Sequence, residues 1–166
     1  AISSRSAEAL EEAAAELGGA VTSLAADTGD LDRMAALPGE VAEALGPVEI
    51  LVTNTGGPPA GGAFDNPAEQ GEAAYTSLVQ APRVLAETVI PEMRESKWGR
   101  IVNVASTSVI EPIPGLALSN AHRMATVGLF KTLAGEGAAD GITVNTVATG
   151  LFPTDRLTSM YGSLAA

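Results

Sequence analysis

No cysteine occurs in the 166 residues, which excludes disulfide staples, cysteine-ligated metal and a thiol nucleophile, and suits a reducing cytoplasm. Basic side chains are few: nine against twenty acidic ones, a formal charge of -11 with a pI near 4.3. Such a chain repels a phosphate backbone, so nucleic acid is excluded as a partner. No apolar run reaches the ~18 to 20 residues of a membrane helix, and no basic-then-apolar leader opens the sequence, so the chain reads as untargeted and not membrane-bound. Histidine occurs once, as His122. What is present is 46% hydrophobic residues with only 17% charged. That balance describes one folded domain over residues 1–166, able to bury roughly two thirds of its unfolded surface.

Strand and helix signals alternate along the chain. Ala1 to Ser4 reads as the tail of a strand, and Ser6 as the N-cap of a helix ending at Leu17 before Gly18-Gly19. Val21 to Ala26 is a short strand, and Asp30 caps a helix from Leu31 to Leu45 that Pro38 should break or kink. Val48 to Thr53 is an apolar strand expected to be buried on both faces. A helix from Pro67 to Ser96, a strand from Arg100 to Val104, a helix from Leu118 to Ala138 and a strand from Ile142 to Val147 complete the series. This order predicts an α/β fold, a doubly wound parallel sheet with helices on both faces.

In such sheets ligands bind beyond the carboxyl ends of the strands. The candidates are therefore Ser4-Arg5, Asp27, Asn54 to Gly57, Ser106 to Ser108 and Thr149 to Thr154. Asn54-Thr55-Gly56-Gly57 either lets backbone approach a flat ligand closely, because glycine has no Cβ, or is a plain turn.

Five ordered segments resemble the short-chain dehydrogenase/reductase family, nearest to its 3-oxoacyl-acyl-carrier-protein reductase-like members. Val52-Thr53-Asn54-Thr55-Gly56 is similar to the family's Asn-Asn-Ala-Gly signature, and Asp27 stands where an acid contacts adenine. Gly99 to Ser106 resembles the strand that ends in the catalytic serine. Gly141 to Asn145 resembles a later strand, and Thr149 to Thr154 the Pro-Gly-x-x-x-Thr loop, with Thr149 in place of proline. The resemblance implies a Rossmann fold, a nicotinamide cofactor bound by Ser4, Arg5, Asp27, Asn54, Gly56 and Thr154, and assembly as a homotetramer or homodimer through the helices Pro67–Ser96 and Leu118–Ala138. Ser4-Arg5 replaces the acid that binds a ribose 2′-hydroxyl, which favours NADP(H) with NAD(H) possible, or else Arg5 is a solvated charge.

Two departures stand out. The glycine-rich phosphate turn and the first strand and helix of the family pattern are missing, so the sequence is expected to be incomplete at its N-terminus, and at its C-terminus as well. The missing strand is central in the family's sheet, which would leave two half sheets without a partner between them. The family's Tyr-x-x-x-Lys pair is also replaced. Ser119 falls thirteen residues after Ser106, where the tyrosine belongs, with Arg123 at the lysine position and Ser77 at that of a helix asparagine. An alkyl hydroxyl can hydrogen-bond an oxyanion but is a poor proton source, and an arginine cannot relay a proton. His122 either substitutes as the acid or faces a neighbouring helix or subunit, and Tyr161 is either a lid residue or an apolar anchor. Two functions follow: an NADP(H)-dependent carbonyl reductase with Ser106, Ser119, Arg123 and Ser77 at its active site, or a redox-silent dinucleotide-binding or lyase-like relative.

Overall fold

Side chains readable in the sequence set the first two helix starts. Ser6 Oγ accepts from Ala9 N at 3.2 Å and opens helix α1 (Ala7–Leu17). Asp30 Oδ1 accepts from Arg33 N at 2.9 Å and opens α2 (Leu31–Leu45), each filling a helix-end donor that would otherwise lack a partner. The computed structural model describes residues 1–150 and Phe152. Its strands are β1 (Ile2–Ser4), β2 (Ser23–Ala25), β3 (Ile50–Asn54), β4 (Gly99–Val104) and β5 (Ile142–Val147), interleaved with α1, α2, α3 (Ala68–Tyr75), α4 (Ala81–Glu95) and α5 (Ala117–Gly137).

Every strand pair is parallel, as the alternation predicts, but there are two sheets: β1 with β2, and β3–β4–β5 with β4 in the middle. No described strand joins β1 to β3. A cavity of about 690 Å³ lies between those two edges, lined on one side by Ala1 to Arg5 and on the other by Ile50 to Gly57.

The main core lies where α4 and α5 pack on the second sheet, with Ala86, Val89, Met93, Ile101, Phe130 and Ile142 buried together. Each large side chain among them contributes about 1.5–3 kcal/mol by leaving water. Only one face of β3 joins this core. Thr53 is buried and donates to Asn103 Oδ1 at 3.1 Å, whereas Ile50 and Val52 are 59% and 57% exposed. Among the described residues α4 covers one face of β3, and Ile50 and Val52 border the gap between the two sheets.

The prolines shape the helices in two ways. Pro38 leaves α2 unbroken from Leu31 to Leu45. It is buried with Met34 and Leu37 on the face that packs toward α4, and this burial offsets the missing N–H. The long helix expected over Pro67–Ser96 is instead interrupted by a π-turn, Thr76–Gln80, where Ala81 N donates to Thr76 O five residues back. Pro82 explains the break. It has no N–H to give the carbonyl of Leu78 four residues earlier. Thr126 of α5, 2% exposed, supplies the missing donor with an Oγ1 hydrogen bond to Leu78 O at 2.6 Å.

The amino ends of β4 and β5 are locked separately. Asp140 pairs with Lys97 Nζ at 2.6 Å and Arg94 Nε at 3.2 Å, and these cations, Lys97 foremost, hold its carboxyl below the ordinary carboxylate value. Gly141 adopts φ +74°, and a Cβ there would run into Lys97 O. Beside it the guanidinium of Arg100 stacks 4.5 Å from the ring centroid of Trp98.

Candidate functional site

The strand ends carry two adjoining groups of polar residues. Ser4, Arg5, Asp27, Asn54, Gly56 and Ser77 all line the cavity between the sheets. Asp27 is fixed by an Asx turn, its Oδ1 accepting from Gly29 N at 2.8 Å. Ser4 Oγ donates to Ser6 O at 3.3 Å. Arg5 is exposed and has no hydrogen-bond or ion-pair partner among the described residues, so its charge is available to a ligand. Ser77 lies in the π-turn and donates to Ala73 O at 2.9 Å.

The second group centres on Arg123. Its Nε donates to Ser119 Oγ at 3.2 Å, Nη1 to Val104 O at 3.3 Å, and Nη2 to Thr55 O at 3.3 Å and Gly56 O at 3.5 Å. One rigid guanidinium thus ties the first turn of α5 to the ends of β3 and β4. Ser119 is buried, and its oxygen accepts from a cation. A hydroxyl has one proton to donate, so the proton of Ser119 is left for another acceptor. Ser106 caps the short turn Thr107–Val109, its Oγ accepting from Ser108 N at 3.2 Å. It stands two residues beyond Val104, at the same strand end that Arg123 holds, and is not hydrogen-bonded to Ser119. Arg123 bridges the two groups, because Thr55 and Gly56 also line the cavity.

His122 donates from Nδ1 to Leu118 O at 2.7 Å, and its ring centroid lies 6.1 Å from that of Tyr75 on α3. It therefore faces the neighbouring helix, one of its two sequence alternatives. Thr154 and Tyr161 lie outside the described residues. Sequence reasoning missed two nearby side chains and one feature of a third. Asn120 binds the backbone of Ile113 through both amide atoms. Thr126 holds the π-turn, for which Pro82 inside a helical pattern was the available signal. Ser108 Oγ is fully buried and has no hydrogen-bond partner among the described residues, and nothing in the sequence announces that.

A family model described as short chain dehydrogenase matches residues 1–162. The human protein "Dehydrogenase/reductase SDR family member 4" is 32% identical over 157 residues, covering 92% of this chain and 56% of that protein. "Inactive 2-(S)-hydroxypropyl-CoM dehydrogenase 2" of Xanthobacter autotrophicus is 31% identical over 150 residues, covering 90% and 65%. Among solved structures, L-sorbose reductase from Gluconobacter frateurii complexed with NADPH and L-sorbose superposes with a TM-score of 0.91 at 28% identity, covering 98% of this chain and 64% of that one. The chain thus spans less than two thirds of the length of these relatives.

Proposed function

The chain belongs to the short-chain dehydrogenase/reductase family, and on that premise we propose an NADP(H)-dependent oxidoreductase that reduces a carbonyl, a 3-oxoacyl group or a similar ketone, at a substituted Ser-x-x-x-Arg site. The observation that carries this reading is the bond from Arg123 Nε to Ser119 Oγ. It occupies the serine oxygen as an acceptor and leaves its O–H to donate to a substrate carbonyl beside Ser106.

The cavity residues fit the adenosine end of the cofactor. Arg5, without a partner among the described residues, suits a ribose 2′-phosphate, Asp27 an adenine edge, and Asn54 and Gly56 the adjoining strand end. The nicotinamide end of such a cofactor would supply hydride to a carbonyl carbon held beside Ser106 and Ser119. Ser106 and Ser119 orient the carbonyl oxygen and hydrogen-bond it as negative charge develops, and the fixed charge of Arg123 stabilises that oxygen through Ser119. Neither serine is acidic enough to be the proton source, so the proton comes from water or from another residue. Ser77 borders the same cavity as a positioning group. Tyr75 on α3 and Met124 on α5, each about half exposed, support helix-mediated pairing into a homodimer or homotetramer. A cytoplasmic location agrees with the absence of cysteine.

A second reading, a redox-silent dinucleotide-binding or lyase-like protein, is favoured by one fact of the same geometry: the guanidinium of Arg123 is spent on protein carbonyls and cannot move a proton. A relative named as an inactive dehydrogenase is in keeping with it. NADPH consumption with acetoacetyl thioesters and simple ketones separates the two. Turnover that Ser119→Ala lowers by about 10- to 100-fold supports the reductase. Tight NADPH binding by calorimetry without turnover on any ketone supports the second reading, and no NADPH binding by the full-length protein overturns both.

A further inference from the structure

The segment between the two serines is held by a side chain that neither role above uses. Pro112 and Pro114 flank Ile113. Neither proline has an N–H, and a residue preceding proline is confined to extended backbone. Ile113 is thus the one residue of the three able to donate, and extended geometry points its N–H and C=O to the same side. Asn120 meets both: its Oδ1 accepts from Ile113 N at 3.3 Å and its Nδ2 donates to Ile113 O at 2.9 Å. This pattern fixes the orientation of the amide, since the reverse would oppose donor to donor and acceptor to acceptor. Two residues on, Gly61 N donates to Gly115 O at 2.7 Å and Ala117 N to Gly61 O at 3.1 Å, sewing the segment to the loop that follows β3.

We propose that Asn120 is a positioning residue whose amide clamps the Pro112-Ile113-Pro114 segment and so fixes the spacing of Ser106 and Ser119. Asn120 adjoins Ser119 in the first turn of α5, so Ser119 points to the strand ends while Asn120 holds the segment that returns from Ser106. A shift of that segment would move one serine relative to the other without touching the cofactor wall, which Asn120 does not line. The proposal rests on the carbonyl-reduction reading for its kinetic consequence and on geometry alone for the clamp.

Two variants of the full-length protein test it. Asn120→Ala removes both bonds. Asn120→Asp keeps the size and the acceptor, but sets a carboxylate oxygen against Ile113 O. Hydrogen exchange is expected to quicken at the Ile113 amide by about tenfold or more in Asn120→Ala, with the Phe130 amide unchanged. In both variants kcat for ketone reduction is expected to fall about tenfold, while KM and the Kd for NADPH stay within about twofold. Unchanged exchange at Ile113 overturns the clamp. Faster exchange with unchanged kcat overturns the positioning role, as does an equal loss in NADPH affinity. Absence of wild-type turnover overturns the reductase reading alone, and the exchange result then judges the clamp by itself.

Discussion

Replacing Thr126 by valine keeps the shape of the side chain and deletes one hydroxyl. That hydroxyl is the donor to Leu78 O at 2.6 Å, in the π-turn where Pro82 supplies none. Leu78 and Thr126 are both 2% exposed, so water cannot readily replace the lost bond. An orphaned buried acceptor costs about 1–3 kcal/mol. With a urea m-value of about 2 kcal/mol/M, the unfolding midpoint should fall by about 1 M, followed by far-UV circular dichroism. Thr126→Ser keeps the donor and loses a methyl group, so about 1 kcal/mol is expected. The decisive arm is Pro82→Ala, which returns an N–H four residues after Leu78. In that background Thr126→Val should cost at least about 1 kcal/mol less than in the wild type, a coupling read directly from the double-mutant cycle. A midpoint shift below about 0.2 M, or equal costs in both backgrounds, refutes the reasoning.

Three further outcomes are expected. Gly141→Ala combines a left-handed backbone with a collision against Lys97 O; a cost of about 2–4 kcal/mol should lower Tm by about 5–15 °C in a scanning calorimeter. Asp140 is held below its usual carboxyl pKa by Lys97 and Arg94, so its stabilising share is complete above its unfolded-state value near 3.8 and is lost as pH falls below it. The Tm gap between wild type and Asp140→Asn should therefore be open at neutral pH and close on acidification toward pH 3. Arg5→Gln should weaken NADPH binding by about 10- to 100-fold, the loss of one charge-assisted contact, and leave NADH nearly untouched when both are titrated calorimetrically.

The parts of the fold written in local pattern were legible. Ser6 and Asp30 cap the helices they were expected to cap, and the strands pair in parallel. The break expected at Pro38 and the silence over Pro82 have one reason: a proline states which hydrogen bond is missing, not whether burial or a distant hydroxyl compensates. Buried packing answers for Pro38 and Thr126 answers for Pro82, and neither partner is a sequence neighbour. The cavity wall was legible because strand ends are topological landmarks, which is why Ser4, Arg5, Asp27, Asn54 and Gly56 line one cavity. The destination of the Arg123 donors was not, since it depends on carbonyls more than sixty residues away at Thr55 and Gly56. Asn120 was passed over because an asparagine inside a helix normally signals nothing beyond low propensity.

Trp98 is the sole indole in the chain, and its ring is stacked by Arg100 at the amino end of β4, about 20 Å along the strand from Ser106. Intrinsic fluorescence excited at the red edge will accordingly not report direct contact with a ligand at the opposite rim. It will report the melting of the α4–β4–α5 corner instead, so occupancy has to be followed through the optical signal of the ligand itself.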